Sequence, residues 1–213
     1  MSRRAIKLAE PEVADCGFYG KVPARGDFVR SGLTGSFVSA WDGWAQAVLA
    51  GSRKIMGEAW IPAWLEAPVW RFALPGGLCG PETVAGLFLP SVDRVGRFFP
   101  LCFACLASGA AASAVAEQAG TWLCGAEAAG RAALAEDLTP EAMVVRLALF
   151  SDVAPSDALP PLPATPVDWG LWWTAGSPRV PPSALALPDL PDAGRFVGML
   201  DAGFAQAASG IPG

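Results

Sequence analysis

Three apolar segments follow one another at short intervals in the middle of the chain, at residues 68–74, 84–89 and 101–107. The links between them are about ten residues long, whereas parallel neighbours need crossovers of roughly a dozen residues or more. The third segment is apolar at every position, which is typical of a strand with helices over both faces of its sheet. The sequence therefore predicts an α/β fold with helices on both faces of a mixed sheet and an antiparallel meander at its centre.

A leading strand and several amphipathic helices accompany the meander. Residues 15–22 alternate as a strand does and stop at Pro23, which has no N–H to donate to a sheet. Thr34 or Ser36 can cap the helix that follows. Its apolar stripe consists of Phe37, Trp41, Trp44 and Val48. Further helices are predicted over about 112–134, from Thr139 to about Phe150 and over 191–204, and a late strand over 168–175.

One domain accounts for the length of the chain. A chain of 213 residues can bury one sizeable core, and it contains no internal repeat. We predict a single domain over residues 14–207, a flexible N-terminal tail over 1–13, and a proline-rich surface loop at 154–166. No apolar run approaches the roughly 20 residues of a membrane helix, so no membrane insertion is predicted.

Charge and composition restrict the function. The formal net charge is −5, which argues against nucleic acid as a partner, because phosphate contacts require a basic face. Histidine is absent, and with it the usual general base, the usual zinc ligand and every Ser–His or Cys–His nucleophile pair. No metal and no other cofactor are therefore expected.

The cysteines indicate a reducing compartment. There are five of them, an odd number scattered along the chain, which favours a cytoplasmic protein over a disulfide framework. Cys102 and Cys105 form a C-x-x-C pair, but residues three apart on a strand face opposite sides, so we interpret them as core thiols. The sequence thus predicts no disulfide and no metal site.

Two charged loops carry the candidate binding residues. They span residues 21–28 and 90–97, and each combines a strand end, a glycine, a carboxylate and several cations. Because their charges are complementary in a chain with few charges, we expect the loops to meet in space, with Asp27 or Asp93 accepting from an arginine. The candidate binding residues are Lys21, Arg25, Asp27, Asp93, Arg94 and Arg97. Arg71, predicted on a sheet face, also needs a carboxylate or carbonyl partner.

Several chemistries are open to these loops. A nucleotide loop is disfavoured because Gly20-Lys21 lacks the upstream glycine spacing and the following Ser or Thr. Simple anion capture by the loop cations is less demanding. A Ser91 nucleophile with Lys21 as base, or acid–base work by Asp27 and Asp93, is disfavoured because nothing in the spacing supports the first and nearby arginines keep the carboxylates ionised. A structural ion-pair network and a protein-recognition surface remain, and they are compatible with each other.

Long motifs give the chain a family resemblance. GFYGKVPARGDFV, WDGW, APVWRFALPGG, LPSVDRVGRFFPL and LWWTAG occur here in the order and spacing of the TagF family, accessory proteins of the bacterial type VI secretion system. The resemblance runs from about Gly17 to the final helix. It implies a three-layer α/β/α sandwich, in agreement with a sheet covered on both faces.

The resemblance also implies a function. Family members resemble cytoplasmic, non-enzymatic repressors that hold the secretion machine inactive after translation by engaging its forkhead-associated scaffold protein. They work beside, or independently of, a threonine kinase and phosphatase pair. No catalytic residues carry over, and the six loop residues lie at family-motif positions without assigned contacts. The alternative class is an anion- or nucleotide-binding regulatory domain.

Overall fold

Seven strands and seven helices make up the computed structural model, which describes residues 16–107, 109–136, 138–149 and 160–209. The strands are β1 (Cys16–Gly20), β2 (Val29–Ser31), β3 (Trp70–Leu74), β4 (Thr83–Leu89), β5 (Leu101–Ala107), β6 (Gly170–Thr174) and β7 (Ser183–Leu187). The helices are α1 (Gly35–Met56), α2 (Trp60–Leu65), α3 (Ala112–Gln118), α4 (Gly120–Ala135), α5 (Pro140–Leu149), α6 (Ala193–Leu200) and α7 (Ala202–Ser209), with a 3₁₀ turn at Gly57–Ala59. The predicted N-terminal tail and the first part of the proline-rich loop lie outside the described residues.

The strands form one sheet in the order β2-β1-β5-β4-β3-β6-β7. The predicted meander is confirmed: β4 pairs antiparallel with β5 along its whole length and with β3 over five of its seven residues. The outer strands also pair antiparallel, so the sheet is antiparallel throughout and the expectation of a mixed sheet is corrected. The short links between strands predicted the order of the three central strands. They did not indicate where β1 and β6 join the sheet or in which direction.

One face of the sheet packs under aromatic side chains. Helices α1, α2 and α6 cover it, and Thr34 caps α1 by accepting from the Phe37 N–H at 3.4 Å. Three residues of the predicted stripe of α1 are buried here and Trp44 is half-buried, and Trp41 packs against Phe72 of β3 at 4.9 Å between ring centroids. Truncating a buried tryptophan of this kind typically costs about 3–5 kcal/mol, so this layer holds α1 firmly on the sheet.

The other face packs under alanine. Helices α3, α4 and α5 cover it with small side chains such as Ala126, Ala129 and Ala133. Gly130 lets α4 approach the sheet closely, because a Cβ there would lie 2.6 Å from the Leu89 Cδ1. Helices thus lie on both faces, and the fold is the three-layer α/β/α sandwich that the resemblance implied.

Two details of the sequence-based elements are corrected. The single helix expected over 112–134 is divided into α3 and α4, because the chain bends at Ala119 before Gly120 starts a new helix. The edge strands β2 and β7 were not predicted. β2 has only three residues, and β7 is a short run of small and aliphatic residues between Pro182 and Pro188. None of the helices in the described ranges is long and apolar enough to cross a membrane.

Cys16 and Cys105 form a disulfide, which corrects the expectation of no disulfide. The two residues are direct cross-strand partners in the pairing of β1 with β5, although 89 positions separate them in the chain. Cys102 is a buried free thiol as predicted, whereas Cys105 is not. The pairing of these strands was not foreseen, and without it the proximity of the two cysteines could not be inferred.

Candidate functional site

Asp93 is the centre of the two charged loops. Its side chain is fully buried and accepts from four donors. One carboxylate oxygen accepts from the backbone N–H groups of Val95 at 3.0 Å and Arg97 at 2.8 Å, and the other accepts from Lys21 Nζ at 2.5 Å and Arg97 Nε at 2.7 Å. Gly96 allows this tight turn, because its φ of 84° lies in the left-handed region. The Asp93 side chain therefore stabilises the turn of its own loop.

These contacts determine the ionisation of Asp93. Burial by itself raises the pKa of a carboxyl group. Here the hydrogen bonds from Lys21, from the Arg97 backbone and side chain, and from Val95 outweigh burial and hold the pKa of Asp93 well below its usual range. The group is thus a permanent anion that serves as an anchor, and it cannot act as a general acid near neutral pH.

Lys21 carries the first loop to this anchor. It follows β1 directly, where Gly20 passes so close to the next segment that a Cβ would lie 2.1 Å from the Pro100 carbonyl oxygen. The Lys21 ammonium lies 4.7 Å from the ring centroid of Phe28. The backbone carbonyl of Lys21 accepts a hydrogen bond from Ser91 Oγ at 2.7 Å. Lys21 is 5% exposed, so the Lys21–Asp93 pair is an internal brace and not a surface contact.

Backbone contacts complete the junction of the loops. The Arg94 N–H donates to the Arg25 carbonyl at 3.0 Å, and the Arg97 guanidinium donates to the Gly26 carbonyl. The prediction that the loops meet, with Asp93 accepting from an arginine, is confirmed. Asp27 takes no part, because it forms no ion pair with another residue in the part of the chain that is described.

The braced loops border an open cleft of about 540 Å³. It lies beside the edge strand β2 and the start of α5, and its charged lining is Arg25, Asp27, Arg30, Arg94 and Glu141. None of the three arginines has a side-chain hydrogen bond or ion pair within the described ranges. The predicted residues thus divide into a brace, in which Lys21 and Asp93 are buried and Arg97 is exposed, and a group of Arg25, Asp27 and Arg94 that lines the cleft.

Arg30 and Glu141 were missed from the sequence. Arg30 points to the cleft because it sits on β2, and three residues are too few to show the alternation of a strand. Glu141 lies in the first turn of α5, and nothing in the sequence indicates that this turn borders the charged loops. Its own backbone N–H and Thr139 hold the pKa of Glu141 below its usual range, and the charge of Arg25 adds to the effect.

The nucleophile chemistry considered from the sequence is not assembled. Ser91 donates to the Lys21 carbonyl, while the Lys21 ammonium donates to Asp93, so no Ser–Lys pair exists here. Burial raises the pKa of the Cys79 thiol to about 12, which makes it a poor nucleophile. Within residues 16–107, 109–136, 138–149 and 160–209, no group of three or more Cys, Asp or Glu side chains could hold a metal ion.

The fold and the loops define a class: an α/β/α sandwich with a seven-stranded antiparallel sheet and two charged loops joined by a buried ion pair. The chain belongs to the TagF N-terminal domain family, associated with the type VI secretion system, whose model matches residues 17–149. Among solved structures, the chain is similar to PA0076 from Pseudomonas aeruginosa PAO1, with a TM-score of 0.75 and 33% sequence identity over 88% of this chain and 94% of that one. No curated protein matches it.

Proposed function

We propose that this protein is a non-enzymatic, cytoplasmic repressor of the type VI secretion system that acts after translation by binding the forkhead-associated scaffold protein. Membership of a family associated with the type VI secretion system supports a role in that system. The observation that carries the binding role is the braced pair of loops, which present three arginines whose side chains form no hydrogen bond or ion pair among the described residues. Arginine is enriched at the energetic centres of protein interfaces.

A role without turnover agrees with the chemistry of the site. Asp93 is ionised and fully occupied, Ser91 has no base, and the chain contains no histidine. The charged loops are braced in advance, which lowers the entropy that binding must overcome. On this proposal, a threonine kinase and phosphatase pair of the host acts beside the repressor and not through a reaction of this chain.

A paired measurement in cells tests this function. The gene is deleted from its host and replaced with either the wild type or an Arg25→Ala/Arg94→Ala double variant, and secretion and recovery of the scaffold with the tagged protein are followed together. We expect the wild type to repress secretion and recover the scaffold, and the double variant to lose both while keeping its melting temperature.

A matched control separates the cleft from general surface charge. Arg195 is exposed on α6 and lies outside the cleft, so Arg195→Ala should repress and bind like the wild type. If the wild-type protein recovers no scaffold and its deletion leaves secretion unchanged, the repressor function is wrong. A thermal-shift screen with nucleotides tests the alternative class, because a ligand at a hundred times its Kd stabilises by about 2.7 kcal/mol.

A further inference from the structure

We infer that the cleft between β2 and the start of α5 is a docking site for an extended, acidic segment of a protein partner, rich in Asp or Glu. The inference rests on the proposed binding function and adds the chemistry that the site recognises. It makes Arg25, Arg30 and Arg94 the direct contacts of the partner, whereas Lys21, Asp93 and Arg97 only hold the loops in place.

Charge complementarity is the first argument. Lys21 and Arg97 are both engaged by Asp93, while the side chains of the three cleft arginines form no hydrogen bond or ion pair within the described residues. They are exposed in a chain whose net charge is −5, so a local surplus of cations is unusual for this surface. Arginine forms bidentate hydrogen bonds with carboxylates, and three such residues can read several acids along one segment.

The carboxylates of the cleft set a limit on the ligand. Asp27 and Glu141 also line it, so its formal charge is only slightly positive. Glu141 is already engaged by its own N–H and by Thr139 at the start of α5. A polyanion such as nucleic acid would be repelled by these two groups, whereas separated carboxylates on a peptide can meet the arginines and avoid the acids.

The sheet edge supplies the second argument. β2 is the last strand of the sheet on this side, and it contributes Val29 and Arg30 to the cleft. An edge strand presents backbone groups that an extended peptide can pair with, while its side chains give specificity. Phe28, 43% exposed at the cleft, offers an apolar contact between the charges. The ligand is therefore an extended peptide and not a free small anion.

Selection from a peptide library tests the inference without assuming the scaffold. A displayed library of random peptides is selected on the immobilised wild-type protein and counter-selected on the Arg25→Glu/Arg30→Glu/Arg94→Glu variant. We expect the enriched peptides to contain acids at alternate positions. Synthetic versions should bind the wild type with an affinity that falls as salt rises, because salt screens exposed charges, and bind the triple variant at least tenfold more weakly.

Two further variants control the experiment. The Lys54→Glu/Arg195→Glu variant changes exposed cations outside the cleft and should bind like the wild type. Asp27→Asn removes a carboxylate that has no ion pair in the described residues, and it should bind the acidic peptides more tightly. All variants should melt at the wild-type temperature, since their changed side chains are exposed.

Each remaining outcome overturns the inference. It is wrong if no peptide is enriched over the triple variant, if the enriched peptides lack acids, or if only peptides with phosphothreonine in place of Glu bind. Scaffold recovery is scored separately. If the triple variant recovers the full scaffold as well as the wild type does, the acidic docking site is wrong and the repressor function stands. If acidic peptides bind but the wild-type protein recovers no scaffold, the acidic docking site stands and the repressor function is wrong.

Discussion

Among the described residues, two buried cation–carboxylate pairs brace this protein, and they differ in how deeply the carboxylate is buried. In the Lys21–Asp93 pair both side chains are buried, and the carboxylate receives four hydrogen bonds. In the Arg71–Glu127 pair, 2.5 Å between Nη2 and Oε2, the cation is buried but the carboxylate is partly exposed, and Glu127 also pairs with exposed Arg131. The first pair organises two loops, and the second joins β3 to α4.

The difference lies in how completely each buried group is satisfied. Asp93 has donors to both oxygens, whereas the Arg71 Nε–H is buried without a hydrogen-bond partner in the part of the chain that the structure describes. Arg71 also borders a small cavity of about 150 Å³ lined by Leu123 and Trp173 among others. A buried charge with every bond made can fix a unique geometry, while a partly satisfied one holds elements together at greater cost. The asymmetry predicts different responses to mutation.

The largest effect is expected for Asp93→Asn. The change keeps the shape of the side chain but leaves the Lys21 ammonium buried without its counter-charge, which typically costs about 3–5 kcal/mol. Urea denaturation should show a lower midpoint with an unchanged slope. Asp27→Asn, which alters the exposed carboxylate of the same loops, should cost less than about 0.5 kcal/mol. Equal stabilities of the two variants would contradict the brace.

A smaller loss is expected for Glu127→Gln. Arg71 would remain buried, but a neutral amide oxygen in place of the carboxylate can still accept from it, so we expect a loss of about 2 kcal/mol. The matched control is Glu136→Gln, which alters the half-exposed pair with Arg146 and should cost about 0–1 kcal/mol. The comparison fails if Glu127→Gln costs as much as Asp93→Asn.

The contribution of Asp93 to stability should decrease at acidic pH. The folded pKa of Asp93 lies below its unfolded value, so its contribution is fully present above about pH 4 and is lost as pH falls towards the folded pKa. The stability gap between the wild type and Asp93→Asn should therefore narrow by about 1 kcal/mol between pH 5 and pH 3. A constant gap across this range, measured by urea denaturation at each pH, would be inconsistent with the depressed pKa.

The smallest change is expected for Arg71→Met. Replacing a buried ion-pair member by an apolar side chain removes its desolvation cost, and Glu127 keeps Arg131 as a partner. The Met side chain can also pack against Leu123 and Trp173 around the cavity. We expect a change of less than about 1 kcal/mol in either direction by urea denaturation. A loss of more than about 3 kcal/mol in the free energy of unfolding would show that Arg71 matters as much to stability as Asp93.

Local chemistry explains which features were predictable from the sequence. The meander followed from link lengths, the start of α1 from the Thr34 cap, and the meeting of the loops from complementary charge. Arg71 was expected to require a carboxylate or carbonyl partner, and Glu127 supplies a carboxylate. Each of these inferences needs only neighbouring residues or one strong pairwise attraction.

The features that escaped prediction depend on long-range order. Nothing near Cys16 or Cys105 indicates that β1 lies beside β5, so the disulfide and the antiparallel outer strands could not be inferred. The division of roles among the candidate residues also depends on the fold. A sequence shows that Arg25 and Arg97 both belong to charged loops, but only the fold shows that Arg97 pairs with Asp93 while the Arg25 side chain forms no ion pair among the described residues.

The two ends of the sheet also affect how copies of this chain behave towards one another. Filament growth requires long, flat edges that pair with those of a second molecule. β7 is bounded by Pro182 and Pro188, which cannot donate backbone hydrogen bonds, and β2 offers three residues with like-charged Arg30 at its centre. These edges therefore protect a chain that is 53% hydrophobic against amyloid-like stacking.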